Sequence, residues 1–279
     1  MNFGDLDELI HSGEKNIVLN SDIVLDEDEA SRYLDGIALD VDGIIIDGGT
    51  HSIDACGQAR IFCCTAKGVT IRNVSLKGGL SKGNGAAIHN LGELDVSGCE
   101  FASNEANGDG AAIYNGRKLN IAESIFTKNT ANGSGGAIRN VKGSVKIKDS
   151  VLSENESKNS GGAISNALLG TVVIEKSELN RNLSQKSGGA INNIGTLHIS
   201  DSQLNENAAK GEGSGAIYNF MGGDLFITNS VLNRNTSRNG KAISSYDENR
   251  CRIKDCEMQG NAVDENLEPL VYVSTRNFY

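Results

Sequence analysis

A chain of 279 residues is long enough for a sizeable single domain, yet only 5% of it is aromatic, Trp is absent and one Pro, Pro269, stands against 34 Gly. That balance excludes a core of large side chains and predicts a thin aliphatic one, with turns made by Gly and Asn. The net charge of −10 comes without a basic stripe, which argues against nucleic acid as a partner.

In chain order, Phe3, Leu6, Leu9 and Ile10 fall at helical spacing ahead of Gly13 and predict a short amphipathic capping helix. Asn16 to Leu19 and Ile23 to Leu25 read as strands. The run Asp26-Glu27-Asp28-Glu29 lacks the glycine and spaced ligands of a calcium loop, and reads as a solvated acidic turn. Residues 1–50 hold thirteen acids against Lys15 and Arg32, a net −11, so the remainder of the chain sums to +1. Ile44 to Ile46, Ile53, Ile61 and Ile71 to Leu76 suggest irregular early coils.

From Ala87 onward the pattern is periodic. Ala-Ile pairs begin at residues 87, 112, 137, 163, 190, 216 and 242, a period of 25 to 27 residues. Each unit carries three aliphatic stations, such as Ile138, then Val145-Lys146-Ile147, then Leu152. Short alternating segments broken by Gly, Ser and Asn are strands, not helices. Three strands in every repeat predict an all-β, single-stranded right-handed parallel β-helix with a short N-terminal capping helix. The expected divisions are an acidic cap with the first strands over residues 1–50, repeats over 51–261, and a closing strand in 262–279. The last contains Leu270 to Ser274, with Phe278 and Tyr279 covering the final coil.

Equivalent positions in stacked coils lie about 4.8 Å apart, so each column is a ladder of like side chains. The closing hydrophobes are Phe101, Phe126, Leu152, Leu179, Leu204, Leu232 and Met258. Three residues after each stands an asparagine: Asn104, Asn129, Asn155, Asn182, Asn207, Asn235 and Asn261. Amide ladders are the expected role, and tolerance of left-handed backbone would suit Asn to the corner. A second column reads Asn90, Asn115, Asn140, Asn166, Asn193, Asn219 and Ser245. Sequons occur at Asn73, Asn132, Asn155, Asn182 and Asn235, and the three ladder members among them should be closed to glycans.

Chemistry is sparse. The four histidines fall in different columns and far-apart coils, no Gly-x-Ser-x-Gly elbow is present, and no metal site or cofactor is expected. The cysteines carry no metal signature. Cys99 and Cys256, six coils and roughly 29 Å apart, cannot bond to each other, and buried free thiols are favoured over disulfides. Arg252-Ile253-Lys254 resembles the Arg-Ile-Lys triplet of polygalacturonases, but the Asn-Thr-Asp, Asp-Asp and His-Gly motifs that should precede it are absent. No catalytic residue is therefore assigned. Outward positions after the Ala-Ile pairs read His89, Tyr114, Arg139, Ser165, Asn192, Tyr218 and Ser244. On that stripe Tyr114, Arg139 and Tyr218 are the candidate binding residues, suited to sugar rings or a partner peptide.

Gly135-Gly136-Ala137-Ile138, Gly161-Gly162-Ala163-Ile164 and Gly188-Gly189-Ala190-Ile191, with Phe101-Ala102-Ser103-Asn104 and Phe126-Thr127-Lys128-Asn129, resemble the GGA(I/L/V) and FxxN repeats of chlamydial polymorphic outer membrane proteins. The chain as a whole, including Ile44 to Gly49 and Ala59 to Phe62, is similar to adhesin-like right-handed β-helix proteins of methanogenic archaea. The resemblance implies an extracellular or cell-surface adhesin-like module whose partner is a surface glycan or protein. The sequence shows no signal peptide ahead of Met1-Asn2-Phe3 and no apolar run long enough to span a membrane, so insertion of this chain into one is not expected. A pectate-lyase-like enzyme, lyase or glycoside hydrolase, is the alternative, motivated by fold alone. Such chemistry needs clustered carboxylates, which the outward positions do not offer.

Overall fold

Asn2 starts helix α1 (Phe3–His11) through a reciprocal cap, its side chain accepting from the Asp5 N–H while the Asp5 carboxylate accepts from the Asn2 N–H. Phe3, Leu6 and Ile10 point from α1 into the core, so the helix closes the apolar end of a tube that begins immediately beneath it. The computed structural model describes residues 1–263, and over them the chain is a parallel β-solenoid.

Four parallel sheets run along its length. The first, the Ile sheet, has nine strands from Ile37–Leu39 to Ile243–Ser245. The second, the long sheet, has ten, from Asn16–Val18 to Cys251–Lys254. The third has seven, from Ile23–Val24 to Glu178–Asn180, and single bridges continue it through Gln203, Val231 and Glu257. The fourth has eight strands of two residues each, from Leu80–Ser81 to Ala262–Val263. Three sheets match the three expected stations. The fourth is additional: pairs such as Thr130–Ala131 are too short to show alternation.

Register follows the repeat. Ile113 pairs with Ile138 and Ile138 with Ile164, while Phe126 pairs with Leu152 and Leu152 with Leu179. The early coils join the same ladders, with Asn16–Val18 against Ile45–Asp47 and Ile37–Leu39 against Phe62–Cys64. Aliphatic columns fill the interior, and Phe101 and Phe126 stack face to face within it, 4.4 Å between centroids. At the last described coil Ile253 and Met258 are 39% and 38% exposed, whereas Ile227 and Leu232 one coil earlier are buried completely. The expected closing strand, Leu270 to Ser274, lies outside the described residues.

Three polar ladders run through this interior. Asn155 is representative of the first. Its Oδ1 accepts from the Asn129 backbone N–H (3.1 Å) and from Asn129 Nδ2 (2.9 Å), while its Nδ2 donates to the Phe126 carbonyl and to Asn182 Oδ1, both at 3.0 Å. The same pattern recurs from Asn104 to Asn261. In the second ladder Asn90, Asn115, Asn140, Asn166, Asn193 and Asn219 pass amide bonds of 2.7–2.9 Å from coil to coil, and Ser245 accepts the last at 3.0 Å. In the third, Ser124, Ser150, Ser177, Ser202 and Ser230 each accept a backbone N–H from the coil before. Cys99 heads that column as a buried free thiol.

The corner geometry corrects one expectation. The first-ladder asparagines are not the left-handed residues. The residue before each is: six that carry side chains, Ser103, Lys128, Glu154, Arg181, Glu206 and Arg234, have φ of 53° to 59°, and Gly260 before Asn261 has 61°. A left-handed residue there reverses the chain so that the following amide faces inward, at about 1 kcal/mol for each side chain carried. Five of the six are long and charged, with the side chain directed to water, so no core packing is lost.

The Gly-Gly-Ala motif has a separate steric origin. Gly161 is left-handed at φ 73°. Gly162 has ordinary φ, but an added Cβ would overlap the Gly189 carbonyl oxygen of the next coil and stand 2.7 Å from the Leu183 backbone. Where Ala86 and Ala111 take the second-glycine place, they pack in a small cluster with Ala106 and Ala131.

Candidate functional site

The outward residues of the Ile sheet form one column, because in-register pairing sets Cys63, His89, Tyr114, Arg139, Ser165, Asn192, Tyr218 and Ser244 on successive strands. Gly-rich loops preceding each strand flank the column on one side. They are themselves bonded from coil to coil: the Gly135 N–H donates to the Ser160 carbonyl, and the Gly161 N–H to the Ser187 carbonyl. Gly110 lies so close that an added Cβ would stand 2.8 Å from the Arg139 backbone nitrogen. The loops therefore pack tightly against the backbone of the column.

Two of the candidate residues are brought together. Tyr114 and Arg139 sit on paired strands, both half-buried. Tyr114 packs edge-on against His89 with centroids 4.9 Å apart. Arg139 is held from two sides: Nε lies 3.5 Å from the Asp109 carboxylate, and Nη1 donates to Ser165 Oγ. Asp109 in turn accepts the Ser134 N–H at 2.7 Å, which fixes the loop carrying it. Tyr218 is three strands beyond Arg139, roughly 14 Å at sheet spacing, and Ser165 and Asn192 between them are buried. It stacks instead on Phe220, at 5.4 Å and 19° between ring planes.

Sequence reasoning missed Phe220 and Tyr246, which lie on the corner loops just after the Ile strands, in a column whose residue type varies through Leu91, Gly116, Val141, Ala167 and Ile194. Phe220 and Tyr246 meet edge to face at 5.8 Å and border an open hollow of about 810 Å³ with Met221, Asp247 and Glu248. Adjacent hydrophobes at the same corner, Leu91, Leu168, Leu169 and Met221, are also exposed.

The other chemistry-bearing groups are held singly. Among the described residues no three His, Cys, Asp or Glu side chains converge as metal ligands would. All six cysteines are free. Burial pushes the Cys64 thiol to about 12 and the Cys99 thiol to about 11, so neither supplies a thiolate near neutrality. Arg252 lies over the Phe226 ring at 5.5 Å, and Phe226 stacks on His198 at 4.6 Å. The Arg-Ile-Lys triplet is thus part of an outward stack on the long sheet. No helix among the described residues is long and apolar enough to cross a membrane.

Two histidines should titrate in opposite directions. Burial, and then the Arg60 charge, lower His89 from the ordinary 6.5. The bond to the Asp7 carbonyl is the main cause raising His11, with the Asp40 and Asp7 carboxylates adding to it. The stability linked to His89 is present above its unfolded value and is lost as pH falls through the folded one. For His11 it is present below the unfolded value and lost as pH rises through the folded one. NMR titration of the ring protons is expected to place the His89 midpoint below 6.5 and the His11 midpoint above it. The reverse order would contradict the burial of the column and the clamp on the helix.

Residues 123–141, from Glu123 to Val141, match the Chlamydia polymorphic membrane protein (Chlamydia_PMP) repeat. They contain the Phe126-to-Asn129 corner, the Gly135-Gly136-Ala137-Ile138 loop and Arg139. No curated protein and no solved structure matches the chain.

Proposed function

We propose that this chain is a non-catalytic, adhesin-like module of a cell surface, which binds a glycan or protein through the outward column and corner loops of its solenoid. The observation carrying this reading is the in-register outward column itself, with an aromatic and an arginine side by side at Tyr114 and Arg139. Tyr114 offers a ring face and edge to a sugar or peptide. Arg139 offers a guanidinium already oriented by Asp109 and Ser165, and Tyr218 extends the contact farther along. The surface location rests on the resemblance to the chlamydial repeats, which belong to outer-membrane or surface proteins.

The enzymatic alternative has less support. Repeats of 25 to 27 residues leave no long loops to wall a catalytic cleft, and among the described residues no three His, Cys, Asp or Glu side chains converge. Binding of the purified chain to arrays of glycans and of extracellular proteins tests the proposal. Tyr114→Ala combined with Arg139→Ala is expected to weaken the strongest hit about tenfold, in a variant whose circular dichroism shows the solenoid folded at the assay temperature. Retention of full affinity by the double variant would remove the column from the account.

A further inference from the structure

The hollow beside Phe220 and Tyr246 combines three properties seldom found together on a surface. Its walls are aromatic and nearly perpendicular, at 80°. Tyr218 backs the Phe220 ring, while Tyr246 and the Met221 thioether remain 77% and 66% exposed. Its remaining lining includes two carboxylates, Asp247 and Glu248.

The local charge is unbalanced. Arg250 is the neighbouring cation, and it is engaged by Asp224 at 3.3 Å, by Asp247 at 4.0 Å and by the Gly222 carbonyl at 2.6 Å. Asp224, Asp247 and Glu248 thus stand against a single guanidinium, and Glu248 has no ion pair among the described residues. Ring faces are electron-rich, and a cation set over them gains further from carboxylates at the rim. The corner is also pre-built. The Tyr246 N–H donates to the Asn219 carbonyl at 2.9 Å and the Phe220 N–H to the Asn193 carbonyl at 2.8 Å. The Asp247 carboxylate caps the turn that follows by accepting the Asn249 N–H at 3.0 Å. Gly222 is left-handed at φ 86°, with open space where a side chain would stand, which keeps the hollow clear.

We infer that this hollow is a binding site for an alkylammonium group, a lysine side chain of a partner protein, seated against the exposed Tyr246 ring beside Phe220 and neutralised chiefly by Glu248. The volume of about 810 Å³ exceeds that of one ammonium group and leaves room for the flanking partner backbone. The inference rests on the surface-binding reading for its biological sense, and it makes the partner a basic protein segment instead of a glycan.

The test uses the full chain and small probes: choline, its uncharged carbon isostere dimethylbutanol, Nα-acetyl-lysine methyl ester, and a neutral methyl hexoside. Binding is followed by chemical shifts of the tyrosine and phenylalanine rings. Choline and the lysine ester are expected to bind weakly, the isostere about fivefold more weakly than choline, and the hexoside not at all. Tyr246→Ala is expected to abolish cation binding and Glu248→Gln to weaken it about threefold. Both side chains are exposed, so melting curves matching the parent would show that the fold is intact. Equal affinity for choline and its isostere, preference for the hexoside, or cation binding unchanged by Tyr246→Ala would each overturn the inference. If the cations fail to bind while the chain still captures a partner through Tyr114 and Arg139, this inference alone falls. If they bind but neither array retains the chain, the surface-binding reading falls and this site stands.

Discussion

Asn155→Leu is expected to destabilise the solenoid by about 4 kcal/mol and to lower its melting temperature by roughly 10 °C. The leucine would occupy a similar volume and adds apolar area, so a simple hydrophobic argument predicts little change. The hydrogen bonds decide otherwise. Removing the Asn155 amide strips the Asn129 N–H and Asn129 Nδ2 of an acceptor, and the Phe126 carbonyl and Asn182 Oδ1 of a donor. Asn129, Asn155 and Asn182 are all buried, so water cannot replace those partners. Because solenoid stability is a sum of neighbour contacts, the loss should appear first as faster amide exchange in the coils containing Asn129, Asn155 and Asn182. Asn132→Ala, at an exposed asparagine bonded to Asn107, should change stability by no more than about 0.5 kcal/mol. Equal melting of Asn155→Leu and the parent would mean that the ladder has no structural role.

Gly162→Ala should cost about 3 kcal/mol, through crowding and not backbone strain. The new methyl would meet the Gly189 carbonyl and the Leu183 backbone, neither of which can swing aside as a side chain would. Coils must then separate locally, and the inter-coil bond from the Gly162 N–H to the Gly188 carbonyl, 3.1 Å, would lengthen. Gly83→Ala is the matched control, since nothing stands within 4 Å of its added Cβ and its φ is not left-handed. Differential melting of the two variants measures the effect. If they melt alike, the second glycine of the motif has another explanation.

Much of the fold was legible in the sequence because a parallel solenoid repeats each environment at a fixed interval. Once Ile138, Leu152 and Asn155 recur in register, strand, interior position and ladder follow together. The fourth sheet was not legible, since two residues such as Glu156–Ser157 cannot display alternation. Nor was the identity of the left-handed residue. Lys128, Glu154 and Arg181 share length and charge but not its sign, a property common to many exposed positions, so nothing in side-chain type singles out that place. The candidate column was legible as a stripe, but its burial was not: Ser165 and Asn192 are covered by neighbours that no periodicity discloses. Phe220 and Tyr246 escaped notice because their column repeats no residue type, reading Leu91, Gly116, Val141, Ala167 and Ile194 before them. A binding feature built from departures from the repeat is hidden by the regularity that reveals the scaffold.

The central claim is that the solenoid binds and does not turn over what it binds. The most direct measurement incubates the purified chain with polygalacturonate and other surface polysaccharides, with and without calcium, while recording retained protein, unsaturated products and reducing ends on the same samples. Together with capture on the glycan and protein arrays, the account predicts a retained partner and no product above the buffer control. Reproducible product formation would contradict it, and would require catalytic carboxylates brought together from several coils.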